Sequence, residues 1–368
     1  MARSWKLVLS PLLLLLASSP LAAQTPHKTQ HVIFVMTDGL RWQEVFQGAE
    51  ADLMNKKNGA VADEAALKKA YWRETAEARR EALLPFLWTV VAKNGQIYGN
   101  RQKKSDAYVT NGKFFSYPGY SETLCGFPDD RVNSNDKAPN PNVTMFEWLN
   151  QKPAFHGHIA AFGAWDVFPF IFNQPRAGFP VNAGWDPLPS QNPSPELALL
   201  NRLKAETPRV WEDEPFDALP FYTALEFLKS EKPRVLFIGL GETDDWAHGG
   251  RYADYLDAAH RVDQYLRVLW ETVQSMPEYR DNTTLVFSPD HGRGSGNKKW
   301  RDHGGKVPES KYIWMAFLGP DTPALGERSG VGDVTQSQIA ATLAALVGED
   351  YKAAQPKAGA PLADVLPK

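Results

Sequence analysis

The feature that most constrains the fold is a set of apolar runs in which hydrophobic residues follow one another without alternation. Each run is rich in β-branched or aromatic residues and ends in polar or glycine-containing residues. Continuous apolar character indicates strands that are buried on both faces, which is typical of a largely parallel sheet. The five runs are HVIFVMTDG from His31, GHIAAFGAWD from Gly157, RVLFIGLGETDD from Arg234, TTLVFSPDHG from Thr283 and YIWMAFLGP from Tyr312.

Helical patterns lie between these runs. Residues 256–276 carry a stripe of apolar side chains, and residues 336–346 follow Thr335 as an N-cap and end before Gly348. Strands that alternate with helices are typical of an α/β fold. The sequence therefore predicts a largely parallel central sheet with helices on both faces, a three-layer sandwich.

Two regions depart from this alternation. A helical insert is predicted near residues 50–95, where residues 63–80 are charged and helix-prone. An aromatic and proline-rich loop region is predicted near residues 164–215, with most of its aromatic side chains in residues 164–195. That loop either covers the core or forms a wall of a substrate pocket, and the sequence leaves both alternatives open.

The N-terminal residues have the pattern of an export signal. Arg3 and Lys6 form a basic start, residues 7–16 are rich in leucine, and small residues follow at 22–23. The alternative is a membrane anchor, but the apolar run is shorter than the ~20 residues that a spanning helix needs. We expect a signal peptide over residues 1–23 and a mature protein that is exported, periplasmic and without a stable membrane anchor.

Composition narrows the chemistry that the chain can support. A formal net charge of −3 over 368 residues argues against a nucleic-acid-binding surface. The single cysteine, Cys125, excludes an internal disulfide and a zinc site built from cysteines. Any metal ion is therefore expected to be held by histidine and carboxylate side chains. Such an ion would also supply the positive charge that a small acidic substrate requires.

Carboxylates and histidines follow the predicted strands. In a sheet of this kind, functional loops lie at the carboxyl ends of the strands, where side chains from different strands meet. A lone Asp-Gly is usually a turn and a lone histidine usually has a structural role, but three histidines with carboxylates beside them form a stronger pattern. The candidates are Asp38, Asp244, Asp245, His248, Asp290, His291 and His303.

This ligand set predicts a metal site. Carboxylate oxygens and imidazole nitrogens without a thiolate suit Zn²⁺ in a catalytic site, with Mn²⁺ or another divalent ion as the alternative. The candidates are more numerous than one tetrahedral ion needs, so we expect two ions. Paired divalent ions are a common arrangement for in-line displacement at phosphorus.

The stretch FFSYPGYSETLCGF, which begins at Phe114, supplies two candidate nucleophiles. A hydroxyl beside a metal ion is activated by coordination and needs no histidine base. Both Ser116 and Ser121 fit this description, and the residues alone do not choose between them. Pro118 stands just after Ser116, where a helix can begin, so Ser116 is expected near a helix N-terminus that favours an oxyanion.

Taken together, the motifs TDGLR, SYPGY, DDWAH, PDHG and DHGG resemble those of the alkaline phosphatase superfamily. Within it, the chain is most similar to the nucleotide pyrophosphatase/phosphodiesterase branch. The motifs occur in that family's order between Asp38 and His303, and the C-terminal TQSQIAATLAALVG resembles its closing helix. The resemblance implies an alkaline phosphatase-like fold and a single catalytic domain over residues 24–368.

The resemblance also implies a role for each residue. Ser-Tyr-Pro matches the family's nucleophile motif, which selects Ser116 over Ser121, and Asp-x-x-x-His spacing selects Asp244 over Asp245. The implied reaction forms a phosphoseryl enzyme from a small-molecule phosphate ester, and water then releases phosphate. A further amide, Asn135 rather than Asn133, is expected to bind a phosphoryl oxygen. One Zn²⁺ is implied at Asp244, His248 and His303, and the other at Asp38, Asp290, His291 and the Ser116 oxygen.

Other activities on the same fold remain as alternatives. Arylsulfatases carry an arginine where this chain has Tyr120, which argues against conversion of Ser116 to formylglycine. A phosphonate ester hydrolase is also an alternative, and a phosphomutase is disfavoured by the export signal. The non-enzymatic alternative is a metal-binding protein, and the sequence leaves open whether phosphate monoesters or diesters are preferred.

Overall fold

The computed structural model describes Met1 and residues 27–367, so the predicted signal peptide over residues 1–23 lies outside the described residues apart from Met1. Strands are numbered along the chain. They are β1 His31–Thr37, β2 Gln96–Tyr98, β3 Ala107–Tyr108, β4 Ile159–Gly163, β5 Val181–Ala183, β6 Val235–Leu240, β7 Thr283–Pro289, β8 Tyr312–Ile313, β9 Met315–Leu318, β10 Gly326–Glu327 and β11 Val334–Thr335.

The α-helices surround these strands. They are α1 Trp42–Gln47, α2 Lys56–Gly59, α3 Glu64–Tyr71, α4 Ala76–Leu83, α5 Ala92–Asn94, α6 Ser116–Cys125, α7 Met145–Asn150, α8 Phe168–Ile171, α9 Gln174–Ala177, α10 Pro195–Glu206, α11 Ala218–Glu231, α12 Glu242–His248, α13 Tyr252–Ser275, α14 Gly296–Lys299, α15 Ile339–Leu346 and α16 Tyr351–Ala354. Short 3₁₀ helices lie at Ala51–Leu53, Arg101–Lys103, Pro308–Lys311, Gln336–Gln338 and Ala363–Val365, and a π-helical turn lies at Leu87–Val91.

The central sheet has eight strands in the order β10-β2-β9-β7-β1-β6-β4-β5. All neighbouring pairs are parallel except those made by β9, which runs antiparallel to both β2 and β7. A second sheet pairs three short strands in the order β11-β3-β8. The prediction of a largely parallel sheet is therefore confirmed.

Side chains of the sheet alternate between two apolar cores, one on each face. In β1, Ile33 and Val35 join the core that includes α11 and α13, whereas Phe34 and Met36 join the core that includes α6, α7 and α15. Both faces of a strand must be apolar when helices cover both, which explains the continuous hydrophobic runs. The predicted three-layer sandwich is confirmed.

Four of the five apolar runs form one strand each, and the fifth differs. The run from Tyr312 divides at Trp314 into β8 and β9, which belong to different sheets. The buried indole of Trp314 donates from Nε1 to the Leu40 carbonyl at 3.1 Å, and its backbone carbonyl accepts from the Ser288 hydroxyl of β7 at 3.2 Å. Apolar character alone does not reveal such an interruption.

The two regions that depart from the sequence pattern pack on the same cores. In the charged segment, Asp63 and Thr75 cap α3 and α4, and both helices are largely exposed but bury Leu67 and Leu83. In the aromatic segment, Phe168 lies against Gly163 and Gly239, where an added Cβ would come within 2.0 and 2.3 Å of its ring. The glycines thus make room for an aromatic ring, so part of this segment covers the core, while Trp165 of the same segment lines a cavity.

The helix predicted to begin near Thr335 has the expected start. Thr335 forms a capping box with Gln338, which leads through a 3₁₀ turn into α15. Within residues 27–367 no helix has both the length and the apolar character needed to cross a membrane.

Candidate functional site

The candidate residues converge because three adjacent strands end at the same edge of the sheet. Strand β1 lies between β6 and β7, and its last residue, Thr37, is opposite Leu240 on one side and Pro289 on the other. Asp38 follows β1 directly, α12 follows β6, and Asp290 follows β7. Residues far apart in the sequence thereby meet within a few ångströms.

The first cluster surrounds the buried imidazole of His291. Its Nε2 atom lies 3.2 Å from Asp38 Oδ1, 3.4 Å from Asp290 Oδ2 and 4.0 Å from Asp244 Oδ1. Asp290 is fixed by its other oxygen, which accepts hydrogen bonds from the backbone N–H groups of Gly39 at 3.1 Å and His291 at 2.8 Å.

The second cluster brings together Asp244, His248 and His303. Asp244 Oδ2 lies 3.1 Å from His248 Nε2, Asp244 Oδ1 lies 3.6 Å from His303 Nε2, and the two Nε2 atoms are 2.9 Å apart. Ligand atoms of these residues lie within 4.8 Å of one another, as do those of Asp38, Asp244 and His291. Asp244 therefore belongs to both clusters.

Hydrogen bonds orient two of the imidazoles toward the clusters. The Nδ1 atom of His291 contacts the Gly292 carbonyl at 2.9 Å, and Nδ1 of His303 contacts the Phe114 carbonyl at 3.1 Å. A carbonyl accepts only from a protonated nitrogen, so these contacts assign the proton to Nδ1 and leave Nε2 unprotonated in both rings. The Nε2 atom of His291 has no partner among the described residues, whereas that of His303 contacts Nε2 of His248. This arrangement is the usual outer-shell support of a metal-binding histidine.

Several atoms at the centre of the first cluster are buried and lack a hydrogen-bond partner among the described residues. They are Asp38 Oδ1, Asp290 Oδ2 and His291 Nε2. Buried polar atoms are nearly always satisfied, and unpartnered carboxylate oxygens beside an unpartnered imidazole nitrogen match the donor set of a divalent ion. The residues present therefore fit a metal ion.

The electrostatics of the clusters lead to the same conclusion. Burial and the nearby Asp244 carboxylate raise the pKa of Asp38 to about 8, and burial with Asp38 raises the pKa of Asp290 well above its ordinary range. Burial lowers the pKa of His291 to about 4 and that of His303 to about 3. The imidazoles of His291 and His303 are thus neutral and available as ligands, whereas the Asp244 carboxylate raises the pKa of His248 against the effect of its burial. A bound cation would favour the ionised carboxylates and the neutral form of His248.

Arg293 is a site residue that the sequence reasoning missed. Its side chain is buried, and its guanidinium contacts Asp244 and the carbonyl of Arg301, with a further bond of 3.2 Å from Nε to the Trp300 carbonyl. Burial alone would raise the pKa of the Asp244 carboxyl. The charge of Arg293, together with His303, outweighs this effect and holds the pKa well below its usual value. Arg293 also ties Asp244 to the loop that carries His303. The only sequence signal was its position two residues after His291.

Ser116 is the first residue of α6, as the position of Pro118 predicted. It lines a cavity of about 160 Å³ together with Asp38, Asn135, Trp165, Asp213, Glu214, Gly241, Asp244 and Asp245. Helix α6 packs closely on the end of β7, where a Cβ added at Gly119 would lie 2.4 Å from the Asp290 carbonyl oxygen. A glycine at position 119 therefore lets the helix bring Ser116 to the clusters.

The other candidate serine has a different environment. Ser121 is buried further along α6, where its hydroxyl accepts a bond of 3.1 Å from Asn140 Nδ2 and lies 4.0 Å from the sulfur of Cys125. It does not line the cavity. The structure therefore separates the two hydroxyls that the residues alone left equivalent.

The two asparagines are also distinguished. Asn135 lines the cavity, and its Oδ1 accepts from the N–H of Tyr117 at 3.0 Å, which leaves its Nδ2 group available as a donor. Both asparagines are exposed, but Asn133 does not line the cavity.

Tyr120 and Asp245 have roles that their motifs did not reveal. The buried phenol of Tyr120 donates to Asp38 Oδ2 at 3.3 Å, so the residue at the position of the sulfatase arginine supports a cluster carboxylate. Asp245 belongs to neither cluster of histidines and carboxylates. Its side chain instead faces Glu214 across the cavity wall.

Comparisons with solved structures find a similar architecture in several other proteins. Wild-type alkaline phosphatase PafA is 10% identical, with a TM-score of 0.59 over 94% of this chain and 100% of that chain. The 2-O GAG sulfatase BT1596 is 14% identical, with a TM-score of 0.54 over 91% and 73%. The phosphonate monoester hydrolase of Agrobacterium radiobacter is 12% identical, with a TM-score of 0.53 over 87% and 74%.

No family model and no curated protein sequence matches the chain. At such low identities the structural likeness establishes the fold and leaves the substrate open. The chain has the alkaline phosphatase-like fold.

Proposed function

We propose that this protein is a metal-dependent hydrolase of phosphate esters in which Ser116 is the nucleophile. The observation that carries the proposal is the placement of Ser116 at the start of a ten-residue helix, in one cavity with Asp38 and Asp244 of the two clusters. The motif resemblance to the nucleotide pyrophosphatase/phosphodiesterase branch supports the same role. The export pattern in residues 1–23 supports a periplasmic location.

Two divalent ions, most favourably Zn²⁺, would be held by the clusters. Asp244, His248 and His303 would hold one, and Asp38, Asp290, His291 and the Ser116 oxygen would hold the other. When bound, such ions lower the pKa of a coordinated hydroxyl and neutralise charge on phosphoryl oxygens. Asp244 lies within reach of both positions, and Arg293 would keep its carboxylate ionised.

The chain's own residues then perform displacement in two stages. In the first, the Ser116 oxygen forms a bond to phosphorus, the bond from phosphorus to the ester oxygen breaks, and the alcohol leaves with a proton. In the second, water attacks the phosphoseryl group, releasing phosphate or a phosphate monoester and returning a proton to Ser116. Phosphoryl transfer depends mainly on positioning and on stabilising charge, which suits a site built on strand ends and a helix N-terminus.

Asn135 is positioned to orient the phosphoryl group. Its Oδ1 is occupied by the Tyr117 N–H, so its Nδ2 group remains free to donate to a non-bridging oxygen. Because Tyr117 follows Ser116 directly, this hydrogen bond fixes Asn135 relative to the nucleophile.

The charge of the protein side chains around the cavity, apart from any bound metal ion, favours diesters over monoesters. Carboxylates dominate its lining, and neither lysine nor arginine contributes to it. Lys137 is close in sequence to Asn135 but forms an ion pair of 2.6 Å with Asp166. A monoester carries about two negative charges at neutral pH and a diester carries one, so the diester meets less repulsion.

Sulfate esters are the second candidate substrates. They also carry a single negative charge, and a sulfatase and a phosphonate hydrolase share the fold. Against a formylglycine-dependent sulfatase stands Tyr120, which donates to Asp38 and cannot replace an arginine at that position.

A comparison of three matched substrates tests the proposal. The zinc-loaded protein and its Ser116→Ala variant are assayed on p-nitrophenyl phosphate, bis(p-nitrophenyl) phosphate and p-nitrophenyl sulfate. We expect the diester to be hydrolysed fastest. The kcat of Ser116→Ala should fall at least about a hundredfold. This variant should still bind metal, although the ion that the Ser116 oxygen contacts would be held more weakly. Full turnover by Ser116→Ala would refute the assignment of the nucleophile, and dominant sulfate hydrolysis would establish the alternative.

A further inference from the structure

The residues just before the proposed nucleophile form a turn with an unusual backbone. Residues 110–115, here called the entry turn, lie between β3 and Ser116 at the start of α6. Within this turn Phe114 has a φ of 56°, in the left-handed region that residues other than glycine rarely adopt. The conformation costs a residue with a Cβ atom ~1–2 kcal/mol, so other contacts must hold it in place.

The side chain of Asn111 supplies those contacts. Its Oδ1 atom accepts hydrogen bonds from the backbone N–H groups of Lys113 at 2.8 Å and Phe114 at 3.0 Å. Asparagine and aspartate favour turns of this kind because their short side chains reach the backbone a little further along the chain. The Nδ2 atom of Asn111, by contrast, is buried and has no partner among the described residues. The acceptor is therefore the part of the side chain that shapes the turn.

Glu122 attaches the beginning of the entry turn to α6. This buried carboxylate accepts from the N–H and hydroxyl groups of Thr110 at 3.1 and 2.7 Å and from the Asn111 N–H at 3.0 Å. Because Glu122 and Ser116 belong to the same helix, the turn is fixed to the helix of the nucleophile at both of its ends.

The entry turn also contacts the loop that carries His303. The Phe114 carbonyl accepts from His303 Nδ1 at 3.1 Å, which is the contact that fixes the tautomer of this imidazole. A Cβ added at Gly305 would lie 3.1 Å from the Gly112 carbonyl oxygen, so the two segments pass close to each other along their backbones. One short turn therefore leads into the helix of the nucleophile and supports a histidine of the second cluster.

We infer that Asn111 is a positioning residue, which aims the Phe114 carbonyl at His303 and fixes the path of the chain into Ser116. The consequences for metal binding and turnover rest on the proposed function. Without the Asn111 acceptor nothing offsets the unfavourable φ of Phe114, and the backbone relaxes toward an ordinary conformation. The Phe114 carbonyl then leaves His303, and the loss of such outer-shell support weakens metal binding ~10–100-fold.

Substitutions at position 111 test the inference by calorimetric titration with Zn²⁺. Asn111→Ala removes the acceptor and should weaken the site at Asp244, His248 and His303 at least about tenfold. The binding step that is lost in His303→Ala identifies this site in the titration. Asn111→Asp keeps the acceptor and should restore most of the affinity, because the Nδ2 group that it removes has no partner among the described residues.

Two further variants complete the series. Asn111→Ser offers a neutral but weaker acceptor, so its affinity should lie between those of the alanine and aspartate variants, which separates the turn from the added charge. Asn133→Ala is the matched control, since it removes an exposed asparagine that does not line the cavity, and the affinity should stay unchanged.

Hydrogen exchange of the metal-free protein, followed by NMR, gives a readout that needs neither metal nor hydrolysis. In Asn111→Ala the backbone N–H of Phe114 and the ring Nδ1–H of His303 should exchange at least about tenfold faster, whereas N–H groups of the central sheet should be unchanged. A variant that is only less stable would exchange faster throughout the sheet as well. The local change therefore distinguishes a positioning role from a purely structural one.

Turnover at saturating Zn²⁺ reports on the path of the chain into Ser116. A reacting group displaced by about 1 Å can lose ~100-fold in rate, so kcat of Asn111→Ala on bis(p-nitrophenyl) phosphate should fall at least about tenfold even when both metal positions are filled. A kcat equal to that of the wild type would overturn the inference for Ser116.

The remaining outcomes separate the inference from the proposed function. Unchanged Zn²⁺ affinity in a folded Asn111→Ala protein would overturn the inference for His303, whatever the exchange rates. If the alanine variant fails to fold, wild-type affinity and exchange in Asn111→Ser would contradict the inference in its place. A wild-type protein that binds no Zn²⁺ and hydrolyses no ester would refute the proposed function, while faster local exchange in Asn111→Ala would still support the positioning of His303.

Discussion

Replacing Gly119 by alanine perturbs the site through the backbone of Asp290 and alters no side chain that carries chemistry. The added Cβ would lie 2.4 Å from the Asp290 carbonyl oxygen and 3.0 Å from its carbon, whereas ordinary contact begins at 3.4 Å. Both neighbours are backbone atoms, so no side chain can rotate away. We therefore expect α6 to move about 1 Å from the end of β7, carrying Ser116 with it.

The expected consequences differ for stability and for activity. Alanine in a helix is favoured over glycine by ~1 kcal/mol, while overpacking costs ~1–3 kcal/mol, so the free energy of unfolding should fall by at most ~2 kcal/mol. A displacement of about 1 Å at a reacting group can reduce turnover ~100-fold. Gly119→Ala should thus remain folded but lose most of its activity.

The assay compares Gly119→Ala with Ser121→Ala, a change in the same helix that does not face the cavity. Unfolding in urea gives the stability of each variant, and hydrolysis of bis(p-nitrophenyl) phosphate gives kcat/KM. A folded Gly119→Ala protein with turnover within about twofold of wild type would show that the packing of α6 on Asp290 does not position Ser116, and the reasoning would be wrong.

Three further predictions concern the clusters. Arg293→Met should weaken metal binding at the His248–His303 cluster by at least about tenfold, because Asp244 loses its cationic neighbour. Arg293→Lys should restore part of the affinity. Calorimetric titration with Zn²⁺ measures the affinity of each variant. Zn²⁺ binding at pH 7 should release protons, because the pKa of Asp38 is about 8 in the metal-free protein. Calorimetric titration in buffers of different ionisation enthalpy counts the released protons. If no proton is released, the assignment of Asp38 as a ligand is wrong. The metal-free protein should lose stability between pH 6.5 and 8, with about 2 kcal/mol from Asp38, since the folded state keeps a proton on Asp38 that the unfolded chain lost near pH 3.8. The raised pKa values of Asp290 and His248 act in the same direction, and the opposite effect of His291, whose pKa is about 4, ends near pH 6.5. Urea unfolding with a chelator at the two pH values measures the decrease, and a constant stability would count against the buried protons.

Much of the fold and the clusters could be predicted because their signals are local in sequence. A strand buried on both faces must be continuously apolar, and its polar ending marks the edge where Asp38 or Asp290 lies. The choice of Ser116 needed more than local signals, since both serines lie on one helix and only the three-dimensional structure shows which of them faces the cavity.

The residues that were missed depend on contacts between distant segments. Nothing in the sequence distinguishes Arg293 from other basic residues. Its contact with Asp244 joins the segment after β7 to the helix after β6. Glu214 lies in an aromatic segment without a motif, and only the structure shows that it lines the cavity beside Asp245. Interruption of the fifth apolar run at Trp314 likewise follows from a bond to Leu40.

The loop that carries His303 has a consequence for how long each ion would stay bound. His291 is fully buried at a strand end, whereas His303 follows a segment whose residues 295–299 are all exposed. That loop is anchored by Trp300, which is fully buried against Tyr252 and Tyr255, but His248 of the same cluster has a side chain that is 48% exposed. The two ions should therefore exchange with solvent at different rates, the one at His303 quickly and the one at His291 only as slowly as the sheet edge itself opens.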